Sequence, residues 1–189
     1  LLSCGKISYI KWDMNRSMAE ITEPAFVHRY YLGLYEVLGY ITEKYPDVLF
    51  EGCSGGGGRF DAGMLCYHPL IWTSDVSDAI ERLKIQEGTA LCYPLSAMGS
   101  HVTACPNHQV GRVTPFSTRA NVASFGTFGY ELNVAELSAE DKSEIKNQIA
   151  RYREIEPLVR EGDFSVLVSA FSGGTFTAWQ LTSKDKKRA

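Results

Sequence analysis

The run Ile10-Lys11-Trp12-Asp13-Met14-Asn15-Arg16 places a carboxylate at the mouth of a strand, with a lysine two residues before it. Side chains alternate along a strand, so Lys11 and Asp13 share one face and Trp12 takes the other. A carboxylate beside a fixed ammonium stays ionised, which suits a nucleophile or a charge stabiliser. A second strand end, Ile71-Trp72-Thr73-Ser74-Asp75, supplies another carboxylate. Aspartates on separate strand ends suggest two-carboxylate chemistry, of which glycoside hydrolysis is the best-known case. Asp78 competes with Asp75 for that role, but it falls in the first turn of the next helix, where it favours the dipole.

The loop Cys53-Ser54-Gly55-Gly56-Gly57-Gly58-Arg59-Phe60-Asp61 invites comparison with a phosphate cradle. It lacks the Lys-Ser/Thr of a P-loop and the spacing of a dinucleotide fingerprint. Arg59 and Asp61 are expected to pair and brace it. His101 and His108, seven apart in a proline-containing stretch, match no zinc pattern and read as structural or pocket-wall residues. His28 and His68 show no partner signal.

The elements that must position these residues read as alternating strands and helices. Lys6 to Asp13 is a strand. Phe26 to Tyr45 is an amphipathic helix, with Val27, Tyr30, Tyr31, Leu34, Leu38, Ile41 and Tyr45 at helical spacing, Pro24 ahead of it and Pro46 at its exit. Val48 to Glu51 is a short buried strand, and another precedes Asp75. A helix from about Ser77 to Gln86 follows, capped by Ser77, with Asp78 and Glu81 near its positive end. Thr89 to Ser96 reads as a strand and Met98 to Ala120 as a long polar loop, of the kind that carries function. Val122 to Leu132 is strand-like, and Ser138 opens a last helix with Ile145, Ile149, Tyr152, Ile155 and Leu158 as its apolar positions. Phe164 to Ala170 and Thr175 to Leu181 form a hairpin around Ser172-Gly173-Gly174.

Such alternation implies an α/β fold with a parallel sheet. Asp13, Cys53 and Asp75 each lie just past the C-terminal end of a strand, where a (β/α)8 barrel carries its active site; an open doubly wound sheet would gather its ligands at one switch point. The expected architecture is therefore a partial (β/α)8 barrel of five strand-helix units over residues 1–162, followed at 163–189 by the start of a β-sandwich domain.

At 189 residues, with 44% hydrophobic and 12% aromatic residues, the chain can build a real core. Its 19 basic and 22 acidic residues leave a net charge of −3, which provides no basic field for nucleic acid or an acidic membrane. Five cysteines without a C-x-x-C pair argue against a disulfide framework and a structural zinc site, and favour a reducing, cytoplasmic location. No stretch of about 18 uninterrupted apolar residues is present, so no membrane span is expected.

The tracts YIKWDMNRSMAE, HRYYLGLYEVL, CSGGGGRFDAGML, IWTSDVSDAIERLKIQ and PLSAMGSHVTACPNHQVGR resemble the catalytic domain of a glycoside hydrolase family 36 α-galactosidase over roughly residues 6 to 170. The resemblance implies a retaining exo-enzyme acting on terminal α-galactose of melibiose- and raffinose-type oligosaccharides. In it Asp13 would be the nucleophile and Asp75 the general acid and base. Lys11 would hydrogen-bond sugar hydroxyls, Asn15 would meet hydroxyls near Asp13, and Cys53 and Gly56 would line the galactose pocket. Val76 departs from the polar residue usual at its position. The chemistry implied needs no metal and no organic cofactor, and the family commonly forms homo-oligomers.

Two other readings stand beside this one. One is an α-N-acetylgalactosaminidase or a raffinose-type galactosyltransferase of the same clan; the other is a fragment with only sugar-binding remnants. The chain begins Leu-Leu-Ser-Cys and stops just after a strand-like segment, so it reads as a piece of a longer protein. On that reading the isolated piece is expected to be inactive and prone to aggregate through open strand edges.

Overall fold

The computed structural model describes residues 2–16 and 18–189, which form two compact units, 1–72 and 73–189. In the first unit, strands β1 (Tyr9–Asp13), β2 (Leu49–Cys53) and β3 (Leu70–Trp72) run parallel, with helix α1 (Phe26–Lys44) between β1 and β2. The short α2 (Ala62–Leu65) precedes β3. α1 occupies the predicted span almost to the residue. It ends at Tyr45, whose backbone leaves helical geometry because the following Pro46 crowds the α conformation of its predecessor.

The register pairs Lys11 with Glu51 and Asp13 with Cys53, and continues from Glu51 to Leu70. In parallel strands paired residues share a face, so Tyr9, Lys11, Asp13, Glu51, Cys53 and Trp72 form one polar-aromatic row. The opposite face is apolar. Leu38, Met64 and Ile71, each 1% exposed, cluster there with Trp12, Leu34 and Tyr35 packed against them. Burial of each such side chain contributes on the order of 2 kcal/mol. His68 is buried on this side, its ring stacked on Phe50 at 6.0 Å and tilted to Trp12 at 6.2 Å. Burial, and then the Arg59 cation, pull its pKa below the usual histidine range.

The second unit holds α3 (Ala79–Ala90), the parallel pair β4 (Met98–Thr103) and β5 (Thr127–Glu131), α4 (Phe116–Ala123), α5 (Ala139–Glu161), and the antiparallel pair β6 (Asp163–Val168) and β7 (Ala178–Thr182). Ser138 caps α5 through its hydroxyl on the Asp141 N–H (3.0 Å), and the expected hairpin turns through Gly173 at φ +73°.

The middle of this unit departs from expectation. The strand expected at Thr89 to Ser96 is the end of α3, a loop and the 3-10 turn Leu95–Ala97; the strand itself begins at Met98. The inward side of α3 is polar, with Arg82, Gln86 and Glu87 buried, so an apolar 3.6-residue period is missing and the helix looks shorter than it is. The expected loop from Met98 to Ala120 contains β4 and most of α4, and the expected strand at Val122 is still helix. β4 reads Met-Gly-Ser-His-Val-Thr, which lacks strand-forming bulk, yet Met98, Ser100 and Val102 are buried. The cap of α3 is Asp78, not Ser77: its carboxylate accepts the Ile80 and Glu81 N–H groups, both at 3.1 Å.

Glu87, 3% exposed, ties α3 to the hairpin by accepting the Ala170 N–H and the Trp179 indole N–H, both at 2.8 Å, and the Ser169 hydroxyl. Among the described residues no helix is long and apolar enough to cross a membrane.

Two outcomes are expected. Burial alone pushes the Glu87 pKa up, but its three donors override that and hold the carboxyl below its usual range. Its contribution to stability is therefore full above the unfolded-state carboxyl pKa and is lost as pH falls through the folded-state value. Glu87→Ala should lower stability by about 3 kcal/mol near pH 7 and by progressively less in acid, as read from urea denaturation across pH. At Gly52 an added Cβ would stand 2.9 Å from His68 Nδ1 and 3.4 Å from Ile71 Cγ1. Gly52→Ala should destabilise by about 2 kcal/mol, and an unchanged melting temperature would contradict the tight fit.

Candidate active site

Asp13 is the last residue of β1 and lies opposite Cys53, the last residue of β2. The chain beyond each is stitched to the other. The Met14 N–H donates to the Cys53 carbonyl at 3.1 Å, and the Ser54 hydroxyl donates to the Met14 carbonyl at 2.8 Å. Asn15 completes the link: its Nδ2 donates to Asp13 Oδ2 at 2.9 Å, while its Oδ1 accepts the Gly55 N–H at 2.7 Å. Gly55 (φ +54°) and Gly56 (φ +78°) turn the loop through backbone geometry closed to most side chains. Asn15, expected from the sequence to meet a ligand, thus also orients Asp13.

The Cys53 thiol bonds to the Asp13 carboxylate. Burial pushes the thiol up to about 11; the Asp13 charge adds to the rise, and the Gly56 N–H and the Lys11 ammonium oppose it. The thiol therefore stays protonated near neutral pH, as a donor and not a nucleophile.

The strand row differs from expectation in its ion pair. Lys11 Nζ lies 3.4 Å from Glu51 Oε1 and 4.7 Å from the centroid of the Trp72 ring, and its salt bridge is with Glu51 and not with Asp13. Glu51 is only 2% exposed and also accepts the Tyr9 phenol. Desolvation and this carboxylate drive the Tyr9 pKa upward. A carboxylate buried to this degree needs a counter-charge, and the register places Lys11 directly beside it. Sequence reasoning passed over Glu51, although a lone acid in the apolar run Val48-Leu49-Phe50 is itself a signal.

The expected Arg59–Asp61 pair is absent. Arg59 donates to the Tyr30 hydroxyl and lies 5.5 Å from that ring. Asp61 caps α2 through the Met64 N–H at 2.9 Å and accepts the Tyr35 hydroxyl. The short helix claims the carboxylate, and the loop is braced by the tyrosines of α1.

In the second unit, Asp75 is exposed three residues beyond Trp72. Its rival Asp78 is 1% exposed and spent on capping α3, and it pairs with Arg112. The turn around Asp75 is held by backbone-directed bonds. Arg82 donates to the Ser74 carbonyl at 3.1 Å and to the Gly99 carbonyl at 2.6 Å. Burial pulls the Arg82 pKa down to about 10, with Glu131 opposing, so it remains a cation at neutral pH. Val76, the departure noted above, gives its N–H to the Ser74 hydroxyl at 3.1 Å. His101 and His108 stand apart from these bonds; His101 Nδ1 lies 3.5 Å from Glu131.

Each strand end thus presents a carboxylate, Asp13 with neutral donors beside it and Asp75 exposed on a turn held through its backbone. The chain is 51% identical over its whole length to the α-galactosidase AgaA of Geobacillus stearothermophilus, covering 27% of that protein. It is 52% identical, again over its whole length, to the bifunctional α-galactosidase/sucrose kinase AgaSK of Mediterraneibacter gnavus, covering 20% of it. The solved galactosidase domain of an α-galactosidase–sucrose kinase, AgaSK, superposes on 97% of the chain with a TM-score of 0.94 and 53% identity, the match covering 26% of that structure. An AgaA variant solved with raffinose matches 95% of the chain at TM-score 0.90 and 52% identity, over 26% of its own length. The chain thus spans about a quarter of the length of these relatives. The likeness establishes the α/β class as part of a (β/α)8 barrel, with the β6–β7 sheet as the start of the following β-sandwich. With the Melibiase family model matching residues 1–162, the chain belongs to that family of glycoside hydrolases.

Proposed function

We propose that the protein is a retaining exo-α-galactosidase that releases terminal α-D-galactose from oligosaccharides of the melibiose and raffinose type. Residues 1–162 would contribute to its catalytic barrel and 163–189 would begin its all-β domain. The observation that carries the reading is the division of roles at residues 75 and 78: the buried Asp78 is consumed by a helix cap, which leaves Asp75 as the exposed acid at its strand end. The complexes of AgaA variants with raffinose and stachyose support the substrate class.

In this mechanism the Asp13 carboxylate attacks the anomeric carbon as the glycosidic C–O bond breaks. The proton of Asp75 passes to the departing oxygen, leaving a covalent galactosyl ester on Asp13 and a carboxylate on Asp75. Asp75 then takes a proton from water, whose oxygen attacks the same carbon and frees Asp13. Asn15 and the Cys53 thiol hold Asp13 by neutral hydrogen bonds that orient it without adding a charge. Lys11, anchored by Glu51 and Trp72, presents an ammonium to the sugar hydroxyls, and Gly56 shapes the loop at the pocket wall.

Proton NMR of the full-length enzyme turning over an aryl α-galactoside should show α-galactose as the first-formed sugar. Initial β-galactose would exclude a double displacement. Asp13→Ala should reduce turnover by at least about 10⁴-fold, with azide restoring activity and yielding galactosyl azide. Glu51→Gln removes the anchor of Lys11 while keeping an acceptor for Tyr9. It should raise KM about tenfold, the equivalent of about 1.4 kcal/mol, and leave kcat less affected; wild-type kinetics would show that Lys11 needs no anchor.

A further inference from the structure

We propose that Gln109 is a positioning residue for the acid/base Asp75, an inference that rests on the galactosidase reading above. Among the described residues no hydrogen bond or ion pair holds the Asp75 carboxylate itself, so its place is set by its backbone. That backbone is gripped by one carboxamide. Gln109 Nε2 donates to the Asp75 carbonyl at 2.8 Å, while Gln109 Oε1 accepts the Ser77 N–H at 2.8 Å and the Ser77 hydroxyl at 3.2 Å. A single planar group thus spans the turn on both sides of Val76.

The clamp is itself built. The Gln109 N–H donates to Asn107 Oδ1 at 3.0 Å, and Asn107 Nδ2 donates to the Ser77 hydroxyl at 3.0 Å. Asn107 and Ser77 are buried, and the Thr103 hydroxyl on the Ser77 carbonyl (2.8 Å) fixes the far side of the turn. The segment from Thr103 to Gln109 therefore serves the residue that delivers the proton.

The chemistry requires both ends of the carboxamide. Alanine removes both bonds, and glutamate keeps an acceptor for Ser77 but offers no proton to the Asp75 carbonyl. A displaced acid damages only the steps that need proton transfer. Glycosidic oxygens of sugars leave poorly without a proton, whereas an acidic phenol leaves nearly unaided.

The test compares raffinose with 2,4-dinitrophenyl α-galactoside in the full-length enzyme. Gln109→Ala and Gln109→Glu should each lower kcat/KM about 30-fold on raffinose and less than about threefold on the aryl substrate. In an Asp75→Ala background, Gln109→Ala should change neither substrate further. Equal losses on both substrates, no loss on raffinose, or an added loss in the Asp75→Ala background would overturn the assignment. Should Gln109→Ala not fold, Gln109→Glu carries the same comparison. The wild-type reaction separates the two readings: failure to release galactose from either substrate sinks the galactosidase assignment, whereas activity with an unshifted substrate ratio sinks only the role of Gln109.

Discussion

Glu51 sits almost wholly buried in the middle of a parallel strand, and the arrangement around it follows from the need to neutralise that charge. A bare carboxylate there would be strongly unfavourable, so the fold gives it a tyrosine hydroxyl and an ammonium from the adjoining strand. The parallel register determines which ammonium: Lys11 is the paired residue. Once Lys11 is committed to Glu51 and to the Trp72 ring, it can still reach outward from the row while Asp13, two residues on, is left to neutral donors. The same register that solves an electrostatic problem in the strand interior thereby sets the electrostatics at its end.

The two carboxylates of the proposed mechanism are held by opposite strategies. Asp13 is gripped through its side chain, by the Asn15 amide and the Cys53 thiol, with its exit loop sewn to the glycine loop of the next strand. Asp75 is gripped through its main chain, by Arg82 on the carbonyl before it and Gln109 on its own. These strategies suit the two tasks. A nucleophile benefits from a fixed oxygen and a constant charge, whereas an acid that must lose and regain a proton benefits from a fixed hinge and an unencumbered carboxyl.

Most of the first unit was legible in the sequence because its signals are apolar and periodic. Leu34, Leu38 and Ile41 define one face of α1, and Pro46 marks its end. The second unit was harder to read where its interior is polar. Arg82, Gln86 and Ser100 are buried through hydrogen bonds to carbonyls and to one another, and Glu87 through donors on the hairpin, so hydrophobic patterning undercounts α3 and passes over β4. Asp75 stands out as a candidate by its position at a strand end, and Asp78 reads as serving the start of α3, where the structure makes it the cap; both are local properties. The partners of Lys11, Arg59 and Asp61 were not visible, because cross-strand and loop-to-helix pairing depends on register that no local window carries. The bracing tyrosine of Arg59, for example, lies 29 residues away on α1.

Cys53 shows how burial can make a side chain useful by suppressing its ordinary chemistry. In water a thiol is partly ionised near neutral pH and reacts as a nucleophile or a redox group. Here burial and the adjacent Asp13 charge push its pKa up to about 11, so the proton stays on sulfur and is shared with Asp13. A lysine or arginine in its place would hold Asp13 more tightly but would lower its basicity and compete for the electron pair that must attack carbon. A weak, neutral, permanently protonated donor orients the carboxylate and costs it little reactivity.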